Sequence, residues 1–153
     1  MAWQDHARTT GSALKNWFVA QCYDALAVGL LWLAGLWTIG IPWAPLWAVL
    51  AGLLQFIPNF GAMIAVIVPA LLALRIDFWH FVYVLILFAG VMIFDGLFLQ
   101  PYLMQRQAKV PFWVALIAPI VLGIIIPFWG LLLAPPLLAV VYAFKEKGSR
   151  PVL

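Results

Sequence analysis

The chain consists of long apolar runs separated by short polar stretches, and this pattern predicts about six membrane-embedded helical segments. Residues 17–40 and 81–99 predict full spans, because about twenty apolar residues cross a bilayer as a helix. The remaining four runs are shorter and form two pairs, each interrupted by proline and glycine. These pairs are residues 43–56 with 62–74, and residues 110–126 with 128–144. The predicted fold is an all-α integral membrane protein.

The interruption in the first pair, residues 55–61, reads Gln-Phe-Ile-Pro-Asn-Phe-Gly and lies between almost wholly apolar flanks. Pro58 removes a backbone donor, and Gly61 permits dihedral angles that a helix does not use. Each backbone group freed in this way costs several kcal/mol in hydrocarbon unless protein or water satisfies it. We therefore expect this break to line a cavity or to be enclosed by other helices.

The second pair carries a similar break, since Ile126 and Pro127 begin an Ile-Pro-x-x-Gly pattern that ends at Gly130, 69 residues after Gly61. An earlier proline precedes the proline of each pattern by sixteen residues: Pro42 before Pro58, and Pro111 before Pro127. We interpret the chain as one membrane domain with two repeats. The predicted boundaries are 1–16 for a polar lead, 17–74 and 78–144 for the repeats, and 145–153 for a polar tail. Two unrelated proline-hinged hairpins are the alternative.

Composition excludes an ordinary soluble domain, because 67% of the residues are hydrophobic, only 8% are charged, and the mean hydropathy is +1.11. The lipid bilayer is therefore an expected partner. The net charge of +3 lies at segment ends, so it indicates membrane orientation and not nucleic-acid binding. A single cysteine, Cys22, rules out a disulfide within the chain.

Positive charges predict the topology, because cytoplasmic loops carry an excess of lysine and arginine. With six crossings, three clusters fall on one side: Arg8 with Lys15; Arg106 with Lys109; and Lys145, Lys147 and Arg150. Both termini are then cytoplasmic, whether the broken pairs span fully or are re-entrant. The two hairpins enter the membrane in opposite senses, an inverted-repeat pattern typical of secondary transporters with sites near the midplane.

Asp95 is the strongest candidate for a functional residue. A carboxylate inside a membrane segment costs a few kcal/mol, so it should face protein or water, where it can bind a cation or carry a proton. The alternative is an interfacial aspartate that pairs with Arg106 or caps the loop that we predict from Gln100. Asp95, Gln100 and Arg106 belong to the predicted substrate or ion pathway.

The two breaks supply the remaining pathway candidates. Gln55 and Asn59 can offer amide ligands to a polar solute, or they can satisfy freed backbone groups. Pro58 and Gly61 in the first break, and Pro127 and Gly130 in the second, complete the set, with the glycines favoured as residues that permit the backbone conformation. Two further groups are expected to be peripheral: Asp24 with Gln21 near the headgroups, and Arg75, Asp77 and His80 in an outer polar loop.

No catalytic pattern is evident in the sequence, which has neither a Ser-His-Asp set, a His/Cys metal motif nor a phosphate loop. Two aspartates in membrane segments superficially resemble intramembrane aspartyl proteases. However, Met92-Ile93-Phe94 precedes Asp95, where those enzymes need Gly-x-Gly. We therefore predict no enzyme activity and no cofactor.

Three motifs point to a known family. Residues 50–61 form an apolar run ending in Ile-Pro-x-x-Gly. Residues 95–101 give an acidic residue, then Gly, then a proline, with Leu97 where asparagine is usual. Residues 123–135 form a Gly-rich hairpin ending in Ala-Pro, with Pro127 at an expected glycine. On these residues the chain resembles the autoinducer-2 exporter family of bacterial membrane proteins, also called PerM-like.

The resemblance covers about residues 14–145 and corresponds to the C-terminal half of a typical member. It implies a bacterial inner-membrane protein that exports a small signalling molecule, or exchanges cations for protons, as a homo-oligomer. Coupling to Na⁺ or H⁺ would need no cofactor. The alternative function is a half-length, non-transporting assembly or accessory subunit of a membrane complex.

Overall fold

The computed structural model describes residues 2–57 and 60–148, and its described residues confirm the all-α fold. The helices are α1 (Ala2–Ile39), α2 (Ala44–Leu54), α3 (Gly61–Ala65), α4 (Ile67–Ile76), α5 (Phe78–Phe94), α6 (Gln100–Ala108), α7 (Phe112–Ile125) and α8 (Trp129–Gly148). A π-helical turn, Asp95–Leu99, joins α5 to α6.

Three helical stretches in the described residues are long and apolar enough to cross a membrane: His6–Ile39, Phe78–Ala108 and Trp129–Glu146. Shorter apolar helices occupy Ala44–Leu54, Gly61–Ile76 and Phe112–Ile125. The six predicted hydrophobic segments are therefore present, in the predicted order. The long helices extend beyond the predicted spans, and this difference changes the depth of several polar residues.

The first extension is at the N-terminal end, where the predicted lead 1–16 continues into the first span as part of α1. The second lies after α5, where we expected a loop from Gln100 to Lys109 and the structure has α6 instead. That prediction is wrong because Met104 and Ala108 are buried among the polar residues of this segment, which makes its helical conformation favourable. The polar side chains that suggested a loop lie on a helix.

Two junctions also differ from the sequence pattern. The segment predicted as 62–74 divides at Val66 into α3 and α4, because Pro69 has no N–H to donate to the carbonyl of Ala65. The outer loop predicted around Asp77 contracts to that one residue, since α4 ends at Ile76 and α5 begins at Phe78.

The helices pack into two compact units. The central unit contains Cys22–Leu99, and the terminal unit contains Met1–Gln21 together with Gln100–Leu153. In the central unit α1 and α2 approach closely, because Gly29 and Gly52 place no side chain between the backbones. The division into two sequence repeats stays a prediction.

The two units have separate apolar cores. The larger buried members of the central core are Val28, Trp32, Leu36, Ile41, Val84 and Val91. The terminal core contains Met104, Ala108, Val110, Ala115, Leu138 and Ala139, with Trp17 packed against it. Trp17 and Trp32 thus place α1 in the cores of both units.

The two hairpin breaks have matching local geometry. The N–H of Gly61 donates to the carbonyl of Ile57 at 2.9 Å, and the N–H of Gly130 donates to the carbonyl of Ile126 at 2.7 Å. Each glycine also lies directly against a backbone carbonyl of the preceding arm, of Leu54 for Gly61 and of Leu122 for Gly130. Pro58 and Asn59 lie outside the described residues. The shared Ile-Pro-x-x-Gly pattern therefore forms the same close contact in both hairpins.

Replacing Gly61 or Gly130 by alanine is expected to lower the thermal unfolding temperature in detergent micelles, measured by circular dichroism. The new Cβ would overlap a backbone carbonyl, which cannot rotate away as a side chain can. Overpacking of this kind costs about 1–3 kcal/mol. Each kcal/mol corresponds to about 2–4 °C in a chain of this size.

Gly90→Ala is the matched control, because a Cβ at Gly90, within α5, meets nothing within 4 Å. Alanine is the better helix former by up to about 1 kcal/mol, so this variant should unfold at the same or a higher temperature. Equal losses in all three variants would contradict the close-contact account.

Candidate functional site

Asp24, Gln55 and Asp95 form a buried polar group within the central unit, which we call the carboxylate cluster. Their exposed fractions are 2%, 3% and 7%. They come from three different elements: α1, the C-terminal end of α2, and the π-helical turn after α5. Ionisable residues are seldom buried in this way unless they are paired, and inside membrane segments they mark functional positions.

Asp95 begins the π-helical turn, near the middle of the candidate span Phe78–Ala108. The sequence explains the turn, because Pro101 cannot donate to the carbonyl of Leu97 and its ring would clash with that carbonyl. The backbone responds by widening locally, a change frequent at functional sites. The widened turn holds Asp95 in the interior of the central unit.

Gln55 is the C-terminal cap residue of α2 and the first residue of the hairpin break. Its side-chain Nε2 donates to Oδ2 of Asp95 at 2.5 Å, so the predicted candidates Gln55 and Asp95 are in direct contact. Gly61 supports this position: the second arm packs against the backbone of Leu54 and Gln55 with no intervening side chain. Gly61 is therefore a positioning residue in this geometry.

Asp24 is the member of the cluster that the sequence interpretation missed. We expected it near the headgroups, but it is buried and lies near the middle of the candidate span His6–Ile39. The error came from starting the span at residue 17, whereas α1 begins at Ala2. Asp24 also shares the four-residue spacing of the buried Val28, Trp32 and Leu36, and this spacing was the signal that could have found it.

The side chain of Asp24 interacts with both Asp95 and Gln55. Two carboxylates in contact in a low-dielectric interior cannot both stay ionised without a counter-charge. The cluster is therefore suited to share a proton or to hold a cation between the two carboxylates, beside the amide N–H of Gln55. The C-terminal end of α2 adds the negative end of a helix dipole, which favours positive charge. Among the described residues, no group of three or more His, Cys, Asp or Glu side chains forms a metal-binding set.

Trp32 adds a second polar group to the central unit. It is fully buried two turns along α1 from Asp24, and its indole N–H has no hydrogen-bond partner among the described residues. A buried donor without a partner costs about 1–3 kcal/mol. A water molecule or a polar solute can satisfy it.

The other predicted pathway residues lie in the terminal unit. Gln100 lines a small cavity with Pro119 and Pro135. The Arg106 guanidinium lies over the Tyr102 ring, 5.4 Å from its centroid. Gly130 is buried, whereas Pro127 is exposed. Their part in a pathway stays a prediction.

Comparison with known protein families shows a match over nearly the whole chain. The family model described as AI-2E family transporter matches residues 2–150. Searches of curated proteins and of solved structures found no match.

Outside the candidate spans, Asp77 caps α5 at the junction with α4. Its Oδ1 accepts a hydrogen bond from the backbone N–H of His80 at 2.8 Å. Nδ1 of His80 lies 2.9 Å from the same oxygen, so a protonated ring adds an ion pair. The hydrogen bond from the backbone of His80, followed by that from its side chain, lowers the pKa of Asp77. This geometry gives Asp77 and His80 a structural role at the α5 N-terminus.

Asp77→Ala is expected to lower the thermal unfolding temperature at neutral pH, because it removes the acceptor that caps α5. The pKa of Asp77 is lower in the folded chain, so its stabilisation is complete above the usual carboxylate pKa and is lost as the pH falls through the folded value. The gap between wild type and variant should therefore close on acidification. Circular dichroism melts from neutral pH to about pH 3 measure it.

Asp77→Asn is the control, since asparagine also caps helices and does not titrate. Its difference from wild type should be the smaller one at neutral pH. Protonation of His80 adds its ion pair to wild type before Asp77 titrates, so the decisive measurement is the acid end of the series: a gap between Asp77→Ala and wild type that is undiminished there would contradict the assignment.

Proposed function

The chain belongs to the AI-2E family of transporters, and on that premise we propose that it is a secondary transporter driven by proton or monovalent-cation exchange at the carboxylate cluster. It is a multi-pass membrane protein of a transporter family, with lipid and a transported substrate as its partners. The observation that carries the proposal is the contact of Asp24, Asp95 and Gln55 near the middle of two candidate spans.

Exchange at this cluster follows from electrostatics. With one proton or one cation bound, the two carboxylates carry a tolerable net charge and Gln55 completes the hydrogen bonding. When that charge leaves, two anions face each other in a poorly screened interior, and their repulsion favours a different arrangement. Loading and unloading therefore bias two conformations, which is the requirement for coupling ion movement to solute movement.

Gln55 connects this charge change to the first hairpin break. Its side chain bonds Asp95, while its backbone belongs to the end of α2, against which Gly61 packs. A rearrangement of the cluster thus acts directly on the break between the two arms. Broken helices near ion sites are a recurrent device in secondary transporters.

The transported solute is proposed to be small and polar, as the family resemblance implies for an exported signalling molecule. The indole N–H of Trp32 supports this class, because it is a buried donor two turns along α1 from Asp24 and has no partner in the part of the chain that the structure describes. We also propose that the chain acts as a homo-oligomer in a bacterial inner membrane with both termini in the cytoplasm. The distribution of lysine and arginine supports that orientation.

The proposal is tested by ion movement, which requires no knowledge of the solute. Purified full chain in liposomes should dissipate an imposed pH gradient, read with an enclosed pH-sensitive dye, when Na⁺ or K⁺ is added outside. Asp24→Asn and Asp95→Asn remove the titrating carboxylates with little change of shape, so each should slow the coupled flux at least about tenfold. Gln55→Leu should slow it less, because both carboxylates remain.

Asp77→Asn is the matched control, since it makes the same substitution outside the candidate spans and should keep the wild-type flux. Circular dichroism on each variant separates loss of flux from loss of fold. Wild-type protein that moves no ions under any of these gradients would favour the accessory-subunit function. Normal flux in both Asp24→Asn and Asp95→Asn would remove the cluster from the mechanism.

A further inference from the structure

The terminal unit contains a polar cavity of about 380 Å³, and none of its lining residues belongs to the carboxylate cluster. Thr9, Ser12 and Asn16 line one wall from a single face of α1, at the three- and four-residue spacing of a helix. Lys109 and Glu146 line it from the α6–α7 junction and the end of α8. This volume falls in the range of small-molecule sites.

The charged groups of the cavity face each other. Nζ of Lys109 lies 2.5 Å from Oε1 of Glu146, although their side chains are 61% and 41% exposed. An exposed ion pair of this kind contributes little to stability, because water screens the two charges. Stability alone therefore does not explain why these two charges meet at a cavity wall, and both remain accessible to a ligand.

The backbone conformation of Lys109 is a second indication that the position of this charge has a role other than stability. It has a φ of 56°, the left-handed conformation that usually belongs to glycine at the end of a helix. A side chain at such a position is strained, because its Cβ comes too close to the following carbonyl oxygen. The chain holds a lysine at this strained corner, and the strained corner puts its ammonium group beside Glu146.

The space itself comes from small side chains. Ala108 and Ala139 belong to the terminal core and also line the cavity, and Ala143 lies one turn further along α8. Larger residues at these positions would fill the volume. The cavity thus combines a floor of alanine methyl groups, a wall of hydroxyl and amide groups, and one charge of each sign.

We propose that this cavity binds a compact zwitterion, a molecule with an ammonium group and a phosphate or carboxylate a few ångströms apart. The acid group would replace Glu146 as the partner of Lys109, and the ammonium group would replace Lys109 as the partner of Glu146. The α1 wall supplies the amide of Asn16 as a donor to the acid oxygens, beside the Ser12 hydroxyl, which itself donates to the carbonyl of Thr9 at 2.9 Å. Each protein charge then keeps an opposite charge on binding, so neither is left uncompensated.

Two sources can supply this chemistry. The cavity lies at the beginning of the candidate span His6–Ile39 and at the end of Trp129–Glu146, where the headgroup of a phosphatidylethanolamine would be within reach. A free amino acid or amino phosphate from the aqueous side carries the same pair of groups. O-phosphoethanolamine represents both, because it is the soluble form of the lipid headgroup.

The first measurement needs no variant. Equilibrium dialysis of the full chain in detergent should show saturable binding of O-phosphoethanolamine. Inorganic phosphate and ethanolamine, each offered alone, should bind at least about tenfold more weakly, because each contacts only one charge of the pair. Equal binding of phosphate and O-phosphoethanolamine would mean a simple anion site and would overturn the proposal, as would no saturable binding of O-phosphoethanolamine.

Variants then locate the site. Lys109→Gln and Glu146→Gln should each weaken binding at least about tenfold, and Ala143→Leu should abolish it by filling the cavity while keeping both charges. Lys15→Gln is the control, since it removes a positive charge from α1 outside the cavity lining. The charge exchange Lys109→Glu with Glu146→Lys should recover binding, because it restores both charges; a merely structural lysine would not predict this. Unchanged binding in Lys109→Gln and Glu146→Gln would overturn the proposal.

Vesicles distinguish the two sources. If the ligand is a lipid, phosphatidylethanolamine vesicles should compete with O-phosphoethanolamine, whereas phosphatidylcholine, whose quaternary nitrogen has no N–H, should compete less. Native mass spectrometry should then show retained phosphatidylethanolamine that Glu146→Gln loses. Binding that neither lipid affects identifies a soluble zwitterion. Both results support the site, and neither depends on ion flux, so failure of the carboxylate-cluster mechanism would leave it standing.

Discussion

The hydrogen bond from Gln55 to Asp95 is the interaction on which the central unit depends. A carboxylate in the interior of a membrane protein is tolerated only with a partner, and here the partner comes from a different helix. The bond joins the end of α2 to the turn after α5, and Asp24 brings α1 to the same point. The three helices therefore meet where burial of charge is most expensive.

The glycines of the hairpin breaks support the packing of their own hairpins through close contacts with backbone atoms. Gly61 lets the second arm lie against the residue that carries the amide, and Gly130 repeats the contact within the terminal unit. Small residues between α1 and α2 bring those helices close in the same way. In lipid, where no hydrophobic force pulls helices together, such close contacts provide much of the packing energy.

Several features were predictable from the sequence because they follow from local chemistry. Apolar runs gave the helical fold, and Ile-Pro-x-x-Gly gave the two breaks. Asp95 was identified because a charged residue in an apolar segment needs an explanation. Asp24 was missed because its depth depends on where α1 begins, and a polar lead does not reveal that its backbone stays helical. The partnership of Gln55 with Asp95 joins residues 40 positions apart, which no local pattern specifies.

The same limit applies to α6. Its polar residues suggested a loop, and only the packing of Met104 and Ala108 into the terminal core explains why they form a helix. Hydrophobic contacts between distant segments therefore stabilise the helical conformation of α6, although its polar composition favours a loop. The cavity beside Lys109 is likewise assembled from three separate parts of the chain.

The π-helical turn at Asp95 also affects which residues of the helix share a face. The turn ends at Leu99, and the division between the two compact units falls between Leu99 and Gln100. A helix advances by about 100° per residue, so the wide turn changes the register only of the residues that follow its first position. Asp95 comes four residues after the buried Val91, and the face that these two residues share is the one that lies in the interior of the central unit.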